Sequence, residues 1–505
     1  MSKPRLRFAP SPTGSPHIGN VRTAVFDYLY ARHTGGTFIL RVEDTDRTRY
    51  EEASLEEMMA GLRWLGMQWD EGPQAGGDYG PYFQSQRLDI YARYAKQLVE
   101  EGKAYYCYCT RERLEEMRKV QEALKQPIRY DRKCRGLSQN ERAKCAHENP
   151  QPVIRFAMKL EGRTEFDDIV RGRVGFDNSL QDDFVMIKAD GFPTYHFASV
   201  VDDRLMEITH VVRGDEWISS APKHLQLYEA FGWTPPQWVH PPLILDESGR
   251  KLSKRSGAST SFTHYIEEGY LPDAMLNFLA TMGWSSGEDK KLFPRQELIE
   301  KFTFEGIVNH PAIFDLPKLN DLNGEYIRMT SVEELADLIL PRLRAAGYAS
   351  ESPTQDERRY LLEVTALIHD RLVVLGEAPD RVSFFYSDDF DYEEKGVKKS
   401  FKQDTARALL KALIENVNGV SEWALEPIEA AVRGAAAVLG LKNGQAIHTA
   451  RLAITGRTWG PGLFELMQVI GRQRCAARLE RAAGVVAELQ ASVRADLQSG
   501  PKRAI

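Results

Sequence analysis

Residues 5–20 decide the fold of the N-terminal part of the chain and read Arg5-Leu-Arg-Phe-Ala-Pro-Ser-Pro-Thr-Gly-Ser-Pro-His-Ile-Gly-Asn20. The first five predict a short strand, residues 10–16 predict a stiff loop, and an apolar-periodic stretch over 17–33 predicts a long helix. A glycine pair ends that helix, and residues 37–42 predict a second strand. This order is a βαβ unit, and the same alternation up to about residue 110 implies a parallel sheet.

Further along the chain the pattern changes twice. Residues 111–190 break the alternation with charged helices, turns and a strand predicted at 153–158, which indicates an insertion. Strands are predicted again at 194–201 and 208–212. After Gly257 the pattern is mostly helical, with helices predicted over 272–282, 331–346, 356–375 and 406–417. The predicted fold class is multidomain α/β + α, an interrupted N-terminal parallel-sheet domain followed by helical domains.

Composition places the chain among ordinary globular proteins. Of its 505 residues, 42% are hydrophobic and 27% are charged, which excludes a collagenous, mucin-like or largely disordered chain. We find no long uncharged apolar run and no apolar signal core, so we expect neither a membrane span nor secretion. Five cysteines are too few for a disulfide framework, which favours the reducing cytoplasm.

Charge is distributed unevenly along the chain. Residues 395–505 carry 17 Lys and Arg against nine Asp and Glu, although the whole chain has a net charge of −6. A basic end on an acidic protein suggests a polyanionic partner, most simply a nucleic acid. The alternative is an ordinary solvated helical surface.

The loop between the first strand and its helix is a candidate phosphate site. Ligands bind at the carboxyl ends of parallel strands, and a helix N-terminus offers free N–H groups to an anion. Gly14 and Gly19 allow close approach of the backbone, and His17 adds a donor in the first turn. The alternative is a rigid turn in which Ser15 caps the helix.

A second segment, Gly249-Arg-Lys-Leu-Ser-Lys-Arg-Ser-Gly257, places four cations in six residues between two glycines. A flexible cationic loop of this kind can close over a polyphosphate and neutralise the charge on a leaving pyrophosphate. Taken alone, such a run is more often a solvated surface loop.

Together the two segments indicate a family. The run from His17 to Asn20 resembles the HIGH motif, and Lys251-Leu-Ser-Lys-Arg255 resembles the KMSKS motif, of class I aminoacyl-tRNA synthetases. Asn20 departs from the general motif, which has a second His there. The chain resembles bacterial glutamyl-tRNA synthetases over nearly its whole length through further segments: Arg7-Phe-Ala-Pro-Ser-Pro-Thr-Gly14, Arg41-Val-Glu-Asp-Thr-Asp46, Trp64-Leu-Gly-Met-Gln-Trp-Asp-Glu-Gly72, Pro193-Thr-Tyr-His196, Val200-Val-Asp-Asp203 and Pro461-Gly-Leu-Phe464.

The resemblance implies a two-step reaction. L-glutamate and ATP, with Mg²⁺, would give glutamyl-adenylate and pyrophosphate, and the glutamyl group would pass to the 3′ end of tRNA(Glu). It also implies a cytoplasmic monomer with no membrane partner. Two alternatives are a truncated paralogue that glutamylates a modified tRNA base, and a non-catalytic RNA-binding protein. The long C-terminal region argues against the first, and the intact motifs argue against the second.

The resemblance also assigns residues to roles. The expected catalytic residues are His17, Lys251 and Lys254. The expected ATP-binding residues are Pro10, Ser11, Gly14, His17, Gly19, Asn20, Glu216, Trp217 and Lys254. The expected glutamate-binding residues are Arg7, Ala9, Ser11, Glu43, Tyr195, Ser199 and Arg213. Arginines suit the two carboxylates of glutamate because a guanidinium binds a carboxylate through two hydrogen bonds.

The same resemblance divides the chain into domains. A Rossmann-like catalytic domain is expected over 1–82 and 196–249, with an inserted acceptor-stem-binding subdomain over 83–195. A stem-contact domain over 250–330 would precede anticodon-binding helical domains over 331–384 and 385–505. The residues expected to contact the anticodon are Arg371, Arg433, Arg451, Pro461, Leu463 and Phe464.

Cys107, Cys109 and Cys134 lie within the insertion at a spacing that suggests tetrahedral zinc. Some members of the family carry zinc there, with a His two residues after the third Cys, where this chain has Gly136. A fourth ligand would have to come from elsewhere, and the candidates are Tyr130, Cys145 and His147. The alternative is that the metal has been lost and the cysteines are packed thiols.

Overall fold

The computed structural model describes residues 3–252 and 260–498, with the backbone alone described over 492–498. It divides into two compact units, which we describe separately. The N-terminal unit comprises Met1–Ile266 and Pro272–Leu322, and the C-terminal unit comprises Glu267–Leu271 and Asn323–Ile505.

The predicted βαβ unit opens the N-terminal unit. Strand β1 (Arg5–Phe8) pairs in parallel with strand β2 (Thr37–Leu40), and helix α1 (Ile18–Thr34) connects them. The helix ends at Gly35, whose φ of 62° is the left-handed conformation that glycine adopts without strain. The first strand, helix and strand predicted from the sequence are therefore confirmed.

Further strands build three sheets. They are β3 (Ala104–Cys107), β4 (Val153–Phe156), β5 (Arg163–Asp168), β6 (Gly172–Asp177), β7 (Val185–Ile187), β8 (His210–Val212), β9 (Gln237–Val239), β10 (Ile244–Leu245) and β11 (Ala312–Ile313). The main sheet has the order β2-β1-β8-β9-β5-β6 and is parallel except for the β5–β6 hairpin. Strands β3, β4 and β7 form an antiparallel sheet, and β10 pairs with β11. The hairpin lies in the segment 83–195, so that segment contributes strands to the main sheet.

The helices before residue 330 belong mostly to this unit, although two of them continue into the C-terminal unit at Glu267 and at Asn323. They are α2 (Glu52–Trp64), α3 (Leu88–Glu100), α4 (Arg111–Ala123), α5 (Gln139–Glu148), α6 (Tyr195–Leu205), α7 (Ala221–Phe231), α8 (Phe262–Glu268), α9 (Pro272–Thr281), α10 (Arg295–Lys301) and α11 (Leu316–Met329). One core cluster joins α3, α6 and α7 to the main sheet through buried residues such as Tyr91, Phe197, Leu227 and Trp238. Burial of this apolar surface fixes the helices on the sheet.

The strand predicted over 194–201 is wrong, because these residues begin helix α6. The segment is rich in aromatic and β-branched residues, which favour strands. Every residue from Phe197 to Asp203 is buried, so the helix shows no polar face and no helical periodicity in its sequence. A short apolar run of this kind cannot be distinguished from a strand by pattern alone.

The C-terminal unit is helical. Its helices are α12 (Val332–Ala345), α13 (Gln355–Ile368), α14 (Ala378–Tyr386), α15 (Glu394–Gly396), α16 (Ala406–Asn418), α17 (Leu425–Val438), α18 (Asn443–Thr455), α19 (Leu463–Ile470) and α20 (Arg472–Gln498). Helix α13 ends before the predicted position 375, because the backbone of Val373 and Leu375 bonds to Asn323 and Gly269 instead of continuing the helix. Across the described ranges, no helix has the length and apolarity needed to span a bilayer.

Candidate active site

A cavity of about 800 Å³ lies at the carboxyl ends of β1, β2 and β8, the edge at which parallel sheets bind ligands. The sequence-predicted residues that line it are Arg7, Ala9, Pro10, Ser11, Asn20, Glu43, Tyr195, Arg213 and Trp217. Segments far apart in the sequence meet here because β1 lies between β2 and β8 in the sheet. Six other predicted residues, Gly14, His17, Gly19, Ser199, Glu216 and Lys251, are not part of the described lining.

A buried ionic network forms below the cavity. The carboxylate of Asp203 binds Arg7 Nε at 3.0 Å and Arg41 Nη1 at 2.7 Å. Burial alone raises the pKa of Asp203, but the Arg7 and Arg41 guanidinium groups outweigh it and hold this pKa below its ordinary value. Arg41 and Asp203 were not predicted from the sequence as site residues. The signal that could have found them is their place in two segments of the family resemblance, 41–46 and 200–203.

Glu43 lies at the edge of this network and lines the cavity. Its Oε1 is 3.1 Å from Arg41 Nη2, and only 6% of the residue is exposed. Burial raises the pKa of Glu43 to about 7, against the opposing attraction of Arg41 and Arg7. The carboxylate is therefore an available anion whose charge depends on pH near neutrality. Ser199 lies behind it, fully buried at 3.5 Å from Arg41 Nη2.

Arg213 differs from Arg7 because it has no acidic partner. No carboxylate lies within salt-bridge distance of its guanidinium among residues 3–252 and 260–498, and Nη2 is buried without an acceptor. Its Nε donates to His240, and the guanidinium stacks 4.7 Å from the centre of the Trp238 ring. Burial lowers its pKa. A buried cation without a counter-ion is costly, so this geometry favours an anionic ligand.

Two aromatic side chains, Tyr195 and Trp217, also line the cavity. The rings of Tyr195, the first residue of α6, and Trp217 are 4.8 Å apart between centres. Trp217 is 40% exposed, which is high for a Trp and leaves a flat apolar face available for a ring or an alkyl chain.

His17 caps helix α1, which corrects the alternative in which Ser15 is the cap. The His17 Nδ1 accepts the N–H of Gly19 at 3.0 Å, so the ring proton of the neutral imidazole lies on Nε2. Burial, and then the charge of Lys251, lowers the pKa of His17. The residue therefore presents a neutral N–H donor beside the helix N-terminus. Gly14 has a φ of 144°, a conformation that other residues rarely adopt.

The cationic loop is described only up to Leu252, and Lys254 lies outside the described residues. Lys251 is exposed, with its Nζ 3.7 Å from Glu216 Oε1. This contact connects the start of the loop to the segment that carries Trp217.

The three predicted metal-ligand cysteines meet in space. The Sγ atoms of Cys107, Cys109 and Cys134 lie within 4.8 Å of one another. The hydroxyl oxygen of buried Tyr130 is 3.3 Å from the Cys107 sulfur and 3.4 Å from the Cys109 sulfur. The three thiols and the phenol therefore lie close together, and thiolate sulfur is a common zinc ligand. Neither Cys145 nor His147 joins the cluster in the described part of the chain.

The residues expected to contact the anticodon all lie in the C-terminal unit. A cavity of about 460 Å³ is lined by Arg371 and by Glu377, Asp380, Arg381, Trp459 and Gly460. Arg371 follows α13 in a short 3₁₀ turn, and no ion pair with Glu363 or Asp370 occurs in the described ranges. Sequence reasoning missed Trp459, whose ring lies between the guanidinium groups of Arg381 and Arg457 at 5.7 and 5.6 Å.

Two other arginines of this set have protein partners. Arg451 Nη1 donates to the Pro461 carbonyl at 2.7 Å, and burial followed by the charge of Arg371 lowers the pKa of Arg451. Arg433 pairs with Glu429 on its own helix and lies 5.8 Å from the centre of the Phe464 ring. Leu463 begins helix α19 and is buried.

Comparison with known proteins agrees with this geometry. Residues 3–321 match the family described as tRNA synthetases class I (E and Q), catalytic domain, and residues 334–483 match an anticodon binding domain. The N-terminal fold and its site therefore define a class I aminoacyl-tRNA synthetase. The glutamate–tRNA ligase of Moorella thermoacetica is 46% identical over 97% of this chain and 99% of its own length. That of Dehalococcoides mccartyi is 47% identical over 96% and 98%. The chain belongs to the glutamate–tRNA ligase family.

A solved structure shares the whole architecture. The crystal structure of a glutamate tRNA ligase from Elizabethkingia meningosepticum, in complex with its amino acid, has a TM-score of 0.85 and 36% identity. It covers 96% of this chain and 100% of its own. The predicted fold class, parallel-sheet catalytic domain followed by helical domains, is confirmed. The domain boundaries stay predictions.

Proposed function

We propose that this protein ligates L-glutamate to tRNA(Glu) at the cavity formed by β1, β2 and β8. The observation that carries the proposal is that a cation and an anion lie at the same cavity: buried Arg213 has no acidic partner in the described part of the chain, and Glu43, which pairs with Arg41, lines the cavity. An amino acid with a second carboxylate supplies both complements. In this arrangement Arg7 and Arg213 bind the substrate carboxylates, and Glu43 and Tyr195 bind the α-ammonium group. Ala9, Ser11 and Ser199 complete the glutamate site.

ATP occupies the neighbouring part of the site, together with the Mg²⁺ that enzymes of this class use. The N-terminus of α1 and the His17 Nε2–H hold the phosphates, while Glu216 and Trp217 lie beside the adenosine. Pro10, Ser11, Gly14, Gly19 and Asn20 form the loop around the nucleotide. One oxygen of the glutamate α-carboxylate attacks the α-phosphorus, and the bond to the pyrophosphate oxygen breaks. Lys251 and Lys254 stabilise the departing charge, so no protein nucleophile is needed.

The C-terminal unit, in which residues 395–505 are basic, binds tRNA(Glu) through Arg371, Arg433, Arg451, Pro461, Leu463 and Phe464. An anticodon binding domain over 334–483 and a cavity lined by Arg371, Arg381 and Trp459 support this role. A monomer located in the cytoplasm belongs to the same proposal.

Zinc in the insertion is a separate part of the proposal. The residues fit the metal, because Cys107, Cys109, Cys134 and Tyr130 place three sulfurs and one oxygen around one point. Arg155 lies 4.0 Å from the centre of the Tyr130 ring and compensates part of the negative charge that deprotonated ligands carry. Zinc bound there would fix the insertion and take no part in the chemistry.

A pyrophosphate-exchange assay with glutamate, ATP and added tRNA tests the function. We expect exchange that requires glutamate, followed by charging of tRNA(Glu). Exchange without any charging of intact tRNA would favour the paralogue that modifies a tRNA base. No exchange under any condition would favour a non-catalytic RNA-binding protein.

A further inference from the structure

Two buried residues hold Arg213 from behind. The Nε2 of His240 lies 3.0 Å from Arg213 Nε, and the Nδ1 of His240 lies 2.6 Å from Asp168 Oδ2. All three residues are buried: His240 is 0% exposed, Arg213 is 6% exposed and Asp168 is 3% exposed. They come from three neighbouring strands, since Arg213 follows β8, His240 follows β9, and Asp168 ends β5.

The hydrogen bonds fix the proton positions in this chain. Arg213 Nε always carries a hydrogen, so His240 Nε2 must accept. The ring proton is therefore on Nδ1 and is donated to the Asp168 carboxylate. Burial lowers the pKa of His240, which keeps the imidazole neutral. Because Nε is occupied, only the Nη atoms of Arg213 remain as donors. Nη1 is 3.4 Å from His224, and Nη2 has no acceptor.

The β5–β6 hairpin also holds the segment that follows Arg213. Asp168 Oδ1 accepts the N–H groups of Val170 and Arg171 at 3.0 and 2.9 Å, which fixes the hairpin turn. From that turn, Arg171 Nη2 pairs with Asp215 at 3.1 Å. One hairpin therefore holds the Arg213 side chain through His240 and the backbone after it through Arg171.

We infer that Asp168 and His240 are positioning residues that orient the Arg213 guanidinium so that its Nη donors face the side-chain carboxylate of the substrate. This inference rests on the proposed role of Arg213 in glutamate binding. A fixed pair of donors binds a carboxylate through both oxygens, whereas the amide of glutamine offers one acceptor and one donor. The chain from Asp168 to Arg213 thus contributes to the preference for glutamate over glutamine.

Two substitutions of His240 form a matched pair. His240→Phe keeps a ring but loses both hydrogen bonds, and His240→Gln keeps one acceptor and one donor. We expect His240→Phe to raise the KM for glutamate about 10- to 100-fold with a smaller change in kcat and an unchanged KM for ATP. We expect His240→Gln to restore part of the loss. The ratio of kcat/KM for glutamate to that for glutamine should fall in His240→Phe.

Asp168→Asn tests the proton arrangement. The new amide can donate to His240 Nδ1, which moves the ring proton to Nε2, where it opposes the Arg213 Nε–H. We expect the same increase in the glutamate KM as in His240→Phe. Asp167→Asn is the control, because Asp167 lies on the same strand with its side chain 77% exposed, and it should behave as wild type. Thermal unfolding of each variant verifies that it folds. If Asp168→Asn does not fold, the comparison of His240→Phe with His240→Gln still tests the inference.

The outcomes separate this inference from the proposed function. If Arg213→Ala loses glutamate binding while His240→Phe keeps a KM within about twofold of wild type, the positioning role is refuted and the function stands. An equal loss in His240→Phe and His240→Gln, extending to the KM for ATP, would also refute it, because the effect would then be general to the fold. An unchanged glutamate KM in Arg213→Ala would refute the assignment of the pocket itself.

Discussion

Glu43 and Asp203 belong to one buried ionic network, but the pKa values of their carboxyl groups are shifted in opposite directions. Asp203 accepts hydrogen bonds from two guanidinium groups and stays ionised, whereas burial raises the pKa of Glu43 to about 7. The difference matters because only Glu43 lines the cavity, where its charge can attract the α-ammonium group of a substrate.

The pH dependence of glutamate use should follow Glu43. As the pH falls through about 7, Glu43 gains a proton and loses its attraction for the ammonium group, so kcat/KM for glutamate should decrease. Bound substrate favours the carboxylate form, and kcat at saturation should therefore change less. Initial rates between pH 6 and 8 measure this. Glu43→Gln should lower kcat/KM and flatten the profile, and a wild-type profile without an inflection in this range would contradict the assignment.

Arg213→Ala should abolish useful glutamate binding while ATP still binds. Loss of a buried charge partner costs about 2–5 kcal/mol, which corresponds to a large increase in KM. Arg213 has no acidic partner in the described chain, so its removal leaves no unpaired acid, although it removes the hydrogen bond to His240. Isothermal titration measures the binding of glutamate and of ATP, and thermal unfolding verifies that the variant folds. Arg213→Lys should rescue little, because an ammonium group cannot bind a carboxylate through two parallel hydrogen bonds.

Sequence reasoning found the cavity residues better than their supports. Arg7, Glu43, Tyr195 and Arg213 all line one cavity, as the family resemblance implied. Asp168 and His240 were missed because they lie 72 residues apart and meet only through the strand order β8-β9-β5. A sequence read without pairing information does not give that order.

At the scale of elements, the loop that begins at Lys251 joins the site through a weak contact. Lys251 is exposed and 3.7 Å from Glu216, a surface pair that stabilises the loop little. That the cations of this segment act on the pyrophosphate stays a prediction from the sequence.

Lys254→Ala should lower the rate of adenylate formation about 100-fold or more and leave tRNA affinity nearly unchanged. The physical reason is that a positioned charge acts on the phosphate charge that develops in the transition state. Single-turnover adenylate formation measures the effect, and filter binding of tRNA is the control. Near-normal adenylate formation in the variant would show that the loop has a different role.

The cysteine cluster gives a prediction for the insertion. Protein purified without chelator should contain about one zinc per chain by mass spectrometry, since four suitable donors surround one point. Cys134→Ala should lose the metal and lower the melting temperature of the insertion, whereas Cys145→Ala should not. Zinc-free protein that retains wild-type stability would favour packed thiols.

Helix α6 shows where element prediction failed. Its buried residues lack the polar face that identifies most helices, and the same burial places Asp203 below the cavity. Helix α1 was predicted correctly because glycines mark its end and a proline-rich loop precedes it. The residues at the ends of a helix can therefore identify it even where the pattern of its interior is ambiguous.

At the scale of the whole molecule, the basic end of the chain and the catalytic family match lie in different units. The basic residues over 395–505 lie in the C-terminal unit, whereas the catalytic family match covers 3–321. Each unit is built from contiguous chain apart from a five-residue exchange at Glu267–Leu271. The exchanged segment includes the last two residues of α8, and the amino-acid composition does not indicate it.

Discrimination between tRNAs is a property of the whole molecule, and a substitution of Arg371 tests it. Glutamate and glutamine tRNAs differ in the last anticodon base, and a mismatched base typically costs about 1–3 kcal/mol. The family resemblance places Arg371 among the residues expected to contact the anticodon. Arg371 lines the cavity next to Trp459. In the described part of the chain, its guanidinium forms no ion pair with Glu363 or Asp370. Its guanidinium is therefore available to donate to a base edge.

We expect efficient charging of tRNA(Glu) and poor charging of tRNA(Gln), with the preference reduced about tenfold or more in Arg371→Gln. Arg433→Gln is the matched control, because Arg433 is already paired with Glu429 and should affect affinity for both tRNAs similarly. Charging both purified tRNAs with each variant measures the ratio. Equal efficiency of the wild type on the two tRNAs would refute strict discrimination. An unaltered preference in Arg371→Gln would instead place discrimination elsewhere in the C-terminal unit, since the other expected contacts, Arg451 with Pro461 among them, would remain intact.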